Sequence, residues 1–121
     1  GLTGKVQGIC PSGWHLPSYD EWKALFTAVG GQLNPGKVLK SQTGWNNNGN
    51  GTDAYGFSAL PAGYRSYGGY FYGGGINAFF WSATEYGSYN AFYIYLYYYN
   101  EYANLLSYDK YYGSSVRCVK D

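Results

Sequence analysis

Charge is scarce in this 121-residue chain, and neither sign dominates. Only 12% of its residues are Asp, Glu, Lys or Arg, and eight basic against seven acidic side chains leave a net charge of +1. Nucleic-acid-binding domains carry a basic stripe that neutralises phosphates. Most of the basic residues here lie outside Arg65–Asp109, so no such stripe forms, and aromatic stacking on bases without cations to track the backbone is disfavoured. No apolar run approaches the ~20 residues that span a bilayer, so this segment does not insert in a membrane as a helix. The Gly1-Leu-Thr-Gly-Lys5 start carries no signal peptide and reads as a module cut from a longer chain. Cysteine is limited to Cys10 and Cys118, and histidine to His15. Two cysteines and one histidine do not make a structural zinc site, which leaves free thiols or one bridge. The bridge is the favoured alternative. It would close a loop of nearly the whole chain, stabilise by about 4–5 kcal/mol on the chain-entropy account, and place the domain in an oxidising, extracellular compartment.

Catalytic apparatus is missing as well. His15, in Gly13-Trp-His-Leu-Pro17, has no partner at useful spacing and reads as structural. Asn46, Asn48, Asn50 and Gly51 faintly echo a calcium loop, but its first position is not Asp and its twelfth is Phe57 rather than Glu. Asp20 and Glu21 are accounted for by a helix N-terminus. No glycine-rich phosphate loop links a strand to a helix. The sequence therefore predicts no enzyme, no metal and no cofactor.

The clearest local element is a helix over Tyr19–Val29. Ser18 and Glu21 form a capping box, Trp22, Leu25, Phe26 and Val29 recur at the spacing of one buried face, and Gly30-Gly31 ends it. Pro35–Lys40 is a helical turn or a strand. Gly44–Gly56 is loop, rich in Asn and Gly. Ala91–Tyr99 alternates, with Phe92, Ile94 and Leu96 on one face and Tyr93, Tyr95 and Tyr97 on the other, the period of a half-buried strand. Ala103–Leu106 and Ser114–Val119 read as further strands around an Asp109–Gly113 turn. Trp14 and Trp81 are expected in the core, while Trp45, beside its Asn loop, is divided between core and surface. The sum is an α+β domain with its ends held together.

What the chain has in excess is tyrosine. Fifteen of 17 tyrosines fall between Tyr64 and Tyr112, where the only charged residues between Arg65 and Lys110 are Glu85, Glu101 and Asp109. Asn, Ser and Gly lie among them, as in Tyr86-Gly-Ser-Tyr-Asn90. Antibody-type paratopes use this mixture, because Tyr gives large amphipathic contact at low entropy cost while Ser, Gly and Asn adapt their hydrogen bonds. The candidate contacts are Tyr70, Tyr72, Asn77, Tyr86, Tyr89, Asn90, Tyr93, Tyr95, Tyr97, Tyr99, Tyr102, Asn104, Tyr108, Tyr111 and Tyr112. Tyr93, Tyr95 and Tyr97 are the best defined by alternation. The competing explanation, plain β-surface, fits the strand preference of Tyr but leaves a large exposed amphipathic patch unexplained.

The remaining segments carry a family resemblance. Gly8-Ile-Cys-Pro-Ser-Gly-Trp-His-Leu-Pro-Ser18, Gly44-Trp45, Gly51-Thr-Asp, Gly56-Phe-Ser-Ala-Leu-Pro-Ala-Gly-Tyr-Arg65, Phe80-Trp-Ser-Ala-Thr-Glu85 and Ser115-Val-Arg-Cys-Val-Lys-Asp121 resemble the Fibrobacter succinogenes major paralogous domain of bacterial surface lipoproteins, over essentially the whole chain. That family is similar to the C-type lectin fold and the formylglycine-generating-enzyme fold. The resemblance implies that Cys10 and Cys118 are paired framework cysteines. It also implies a history for the tyrosines, since C-type lectin-like domains are targets of diversity-generating retroelements that mutate adenines. AAC-type codons then yield Asn, Tyr, Ser, Asp, Ile, Phe and Gly, the set found at the outward positions. The Glu-Pro-Asn and Trp-Asn-Asp motifs of calcium-dependent lectins do not occur, so that activity is not carried over.

These readings combine into one expectation. A single C-type lectin-like domain over 1–121, with framework at 8–66 and 113–121 and a variable region at about 67–112, displays a non-catalytic binding face at a cell or phage surface, as part of a lipoprotein, pilus or phage fibre. Its partner is a protein or glycan rather than a nucleic acid. A carbohydrate-binding module and a self-associating surface domain are the alternatives, and a formylglycine-generating-type enzyme is the weakest.

Overall fold

A computed structural model describes residues 4–31 and 34–121. Gly1–Thr3, part of the start read above as a cut module, lie outside the described residues. The chain runs β1 (Trp14–His15), α1 (Tyr19–Ala28), α2 (Pro35–Leu39), a 3-10 turn (Asn46–Asn48), β2 (Tyr64–Arg65), β3 (Phe71–Tyr72), β4 (Asn77–Tyr86), β5 (Asn90–Tyr97), β6 (Ala103–Asp109) and β7 (Val119–Lys120). It is an α+β arrangement dominated by antiparallel strands.

The helix forms where its sequence signals place it. The Ser18 hydroxyl accepts from the Glu21 amide, and the Glu21 carboxylate accepts from the Ser18 amide, so both halves of the capping box are present. Trp22 and Phe26 are buried, and Leu25 and Val29 pack against the same core. Pro35–Lys40, left open between helix and strand, is a five-residue helix capped by Lys40. Proline suits its first turn, where an amide would have no partner.

The central sheet has the order β4-β5-β6. Ala78 opposes Leu96, Phe80 opposes Ile94, and Leu96 opposes Ala103. These residues form one face, and α1 lies on it. The core is Trp22 and Phe26 from α1, Leu39 from α2, Trp45 and Ala59 from the loops, and that sheet face. The β2–β3 hairpin joins the outer edge of β4 through a Gly63–Ala78 bridge. Gly63 has φ +71°, and a Cβ there would collide with the Tyr72 carbonyl oxygen, so only glycine fits.

Two devices tie the ends. Cys10 and Cys118 form a disulfide, Cα atoms 5.9 Å apart, and β1 pairs with β7. Beside them the buried His15 ring is held from both sides: Nδ1 is 2.7 Å from Asp121 Oδ1, and Nε2 is 2.8 Å from Glu21 Oε2. Hydrogen bonding to Glu21, then to Asp121, raises the His15 pKa above its ordinary 6.5. The histidine, read from the sequence as lacking partners, has two, and they lie six and 106 residues away.

Three expectations need correction. Ser114–Val119 is not a strand: only Val119–Lys120 is, while Ser115 makes a lone bridge to Phe80. Trp14 is surface-exposed rather than core. Trp81 leaves the core as well, since its neighbours Phe80 and Ser82 take the inward positions on β4. Trp45, the undecided one, is 4% exposed and its Nε1 donates to Ser41 Oγ and the Ala59 carbonyl, each at 3.2 Å.

Candidate binding face

The second face of the β4-β5-β6 sheet is where the tyrosines gather. Asn77, Phe79 and Trp81 on β4 oppose Tyr97, Tyr95 and Tyr93 on β5, and Tyr95 and Tyr93 oppose Asn104 and Leu106 on β6. Every one of these positions alternates with a core residue, so the face follows from the period of two. The β2–β3 hairpin and the Asp109–Gly113 turn raise its sides, with Tyr64 edge-on to Phe79 at 5.3 Å and Tyr112 lying 4.8 Å from Tyr108.

The result is a pocket of 320 Å³. Phe79, Trp81, Tyr93 and Tyr95 line it from β4 and β5. Leu106 and Tyr108 come from β6, and Tyr64, Tyr112 and Ser114 from the flanks, with Asn77 at one end. No lining side chain carries a formal charge. The volume lies at the low end of small-molecule sites, about 300–1,000 Å³, and suits one ring or one side chain.

Its aromatic walls are interlocked. Tyr93 meets Trp81 edge-on at 5.9 Å and Tyr108 edge-on at 6.2 Å. Tyr95 stacks with Tyr97 at 5.7 Å and lies tilted against Phe79 at 4.9 Å. Tilted and edge-to-face contacts of this kind suit the ring quadrupoles and hold the rings in fixed poses. Burial above all raises the Tyr93 and Tyr95 phenol pKa values, and the Tyr108 hydroxyl above all raises that of Tyr112. These hydroxyls therefore remain protonated donors at neutral pH.

The candidate residues divide by position. Tyr93, Tyr95, Tyr108, Tyr112 and Asn77 line the pocket. Tyr93 and Asn77 are more enclosed than an outward position implies, at 8% and 9% exposure, because the flanks wall the face. Tyr97 and Asn104 continue the same face along the strands. Tyr70, Tyr72 and Tyr111 are exposed on the flanks, Tyr111 against Tyr67 at 5.5 Å. Tyr99 and Tyr102 are exposed at the β5–β6 turn, and Tyr89 at the β4–β5 turn. Tyr86 and Asn90, paired across that hairpin, lie elsewhere: Tyr86 packs on Phe92, which meets the tilted ring of Tyr19 of α1 on the core side of the sheet.

Sequence reasoning passed over Tyr64, Phe79, Trp81, Leu106 and Ser114. Along Ala78–Ser82 both parities are apolar or small, so alternation does not separate the faces. The β5–β6 register gives away Leu106, since it stands opposite Tyr93.

The Fibrobacter succinogenes major domain matches residues 3–120. The chain belongs to this family. Nothing matches among curated proteins or among solved structures. In this member of the Fibrobacter succinogenes major domain family, the Phe80-Trp-Ser-Ala-Thr-Glu85 segment has two uses. Phe80 enters the core and Trp81 the pocket, and a register irregularity between Trp81 and Glu85 releases the end of β4 toward α1. Among the described residues no helix is long and apolar enough to cross a membrane, and no group of three His, Cys, Asp or Glu residues is placed to hold a metal.

Proposed function

We propose that this domain is a non-catalytic, receptor- or adhesin-type binding module whose ligand seats on the tyrosine face of β4-β5-β6. The uncharged aromatic pocket carries the reading. Exposed aromatic surface of this extent on a small domain marks an interaction site, and rigid tyrosines around a central cavity are the anatomy of a binding hot spot. The phenols supply directional donors, so recognition combines ring burial with hydrogen bonds.

The fold reading goes with it: a C-type lectin-like domain, with residues 8–66 and 113–121 as framework and about 67–112 as a region diversified by a retroelement. Tyr and Asn concentrate on the open face while Ala78, Ile94, Leu96 and Ala103 beneath it are aliphatic, which suits a surface free to vary over a core that is not. The disulfide suits an extracellular or cell-surface setting.

Sequencing this gene across many sibling isolates tests the reading. Substitution confined to outward positions such as Tyr95, Tyr97, Asn104 and Tyr108, with Cys10, Trp22 and Trp45 fixed, is the expected result. An invariant tyrosine face removes diversification, and the choice then passes to protein and glycan arrays. Binding only to polysaccharide would identify a carbohydrate-binding module stacking sugar on Trp81 and Tyr93. Concentration-dependent oligomers with no ligand on either array would identify a self-associating surface domain.

A further inference from the structure

A second cavity, of 190 Å³ and opposite chemistry, opens at the β5–β6 turn. Its walls include Lys40 from the end of α2, Asn48 and Asn50 from the Asn-rich loop, and Tyr99, Asn100 and Glu101 from the turn. Where the tyrosine pocket has no charge, this one is built around a buried cation.

Lys40 is only 2% exposed. Its ammonium has three donors. One goes to the Asn100 carbonyl at 2.7 Å. A second side faces the Trp45 ring, with Nζ 4.8 Å from the centroid. Among the described residues no carboxylate pairs with it, since Glu101, in the same wall, reaches Lys37 instead at 3.7 Å. Buried charges are normally paired, because leaving one unpaired is costly. Desolvation accordingly lowers the Lys40 pKa to about 8, partly opposed by the Glu101 charge. At neutral pH the amine is still mostly protonated, a cation with one N–H unassigned.

The surroundings are fixed in place. Gly49 has no room for a Cβ against the Tyr98 carbonyl, which seats the Asn loop against the end of β5. Asn50 Oδ1 accepts from the Trp45 amide at 2.9 Å, and Asn100 Oδ1 from the Tyr102 amide at 3.1 Å. The Asn48 side chain is bonded to no other described residue. It lines the cavity from a backbone at φ +61°. Tyr99, 78% exposed, supplies an aromatic wall at the opening.

We propose that this cavity binds a carboxylate-bearing ligand, one oxygen taking the unassigned Lys40 N–H and the Asn48 amide serving the carboxylate as second donor. A monoanion suits it better than a phosphate dianion, because Lys37, Lys40 and Glu101 in the wall sum to a single positive charge. An acidic side chain of a partner protein and a uronic acid of a glycan offer the same group.

Side-chain NMR of the Lys40 Nζ and Cε nuclei in the intact domain tests this, with sodium acetate, sodium glucuronate, glucose and sodium chloride as separate titrants at matched ionic strength. Saturating acetate or glucuronate should move the Lys40 midpoint upward by about one pH unit, a roughly tenfold preference for the protonated amine. Chloride and glucose should leave it in place. Glucuronate binding tighter than acetate indicates the glycan source, and equal affinities the acidic side chain. Asn48→Gly, which tolerates the left-handed backbone, should weaken carboxylate binding roughly tenfold at unchanged Tm. Identical midpoints in chloride and in both carboxylates overturn the proposal. So does a carboxylate shift that persists undiminished in Asn48→Gly, since the Asn48 amide then takes no part in holding the carboxylate.

Discussion

Trp81 on β4 and Tyr93 on β5 stand directly opposite each other, their rings edge to face with centroids 5.9 Å apart. One residue earlier on β4, Phe80 points the other way, into Trp22 and Phe57. Adjacent aromatics thus serve opposite faces of one sheet, and truncating each should read out differently. Phe80→Ala is expected to cost about 3–5 kcal/mol of folding stability by opening a core cavity. Trp81→Ala should cost less than half of that and should abolish ligand binding at the face. Chemical denaturation of the two variants side by side decides it, and equal losses of stability would return Trp81 to a core role.

The two buried tryptophans are also unequal. Trp45 satisfies its indole N–H with Ser41 and Ala59, whereas Trp22 Nε1 has no partner among the described residues. Trp45→Phe removes two hydrogen bonds, although the Ala59 carbonyl keeps the Ser41 amide and the Ser41 hydroxyl keeps the Thr43 carbonyl, while Trp22→Phe removes a donor that was already unsatisfied. By the net value of the hydrogen bonding lost, Trp45→Phe should be the more destabilising by about 0.5–1.5 kcal/mol. Urea midpoints at a common m value measure the difference.

These asymmetries show what could be read from the chain alone. Elements written in local signals were legible: α1 from its capping box and periodicity, β5 from its strict alternation, the tyrosine face from composition. Residues placed by pairing between distant segments were not. Trp81 went to the wrong side because Phe79–Ser82 has no polar parity. Tyr64 joined the pocket only because the β2–β3 hairpin is bridged to β4. The partners of His15 were hidden by distance, Asp121 reaching it only once β7 pairs with β1. Trp45 beside its Asn loop gave no local cue, since its burial depends on Ala59 and on the Lys40 ammonium over its ring.

The disulfide should matter more than any single side chain. Cys10–Cys118 spans 108 residues, and on the chain-entropy account opening so long a loop removes about 4–5 kcal/mol. Because β1–β7 pairing and the His15 contacts hold the same ends, the reduced protein is expected to keep its fold at low temperature and lose it on modest warming. Calorimetry with and without a reductant checks this. An unchanged Tm would mean that the non-covalent clasp alone closes the chain.

That clasp has its own pH signature. Glu21 and Asp121 raise the His15 pKa, so the stabilisation is fully present below the unfolded value of about 6.5 and is lost as pH rises through the higher folded value. Glu21 sets the opposite limit. Burial pushes its carboxyl up, but the hydrogen bonds from His15 and Ser18 prevail and its pKa is lowered from 4.5. Its contribution is present above that ordinary value and disappears as pH falls through the folded one. Stability should therefore peak between about pH 4.5 and 6.5 and decline into the alkaline range. In His15→Gln, which keeps a polar group of similar size without the titration, the alkaline decline should flatten and Glu21 should recover a higher pKa. Tm measured from pH 4 to 9 for both proteins checks the sign, because a wild-type Tm that rises from pH 6.5 to 8.5 relative to the variant would mean that His15 folds as the neutral imidazole.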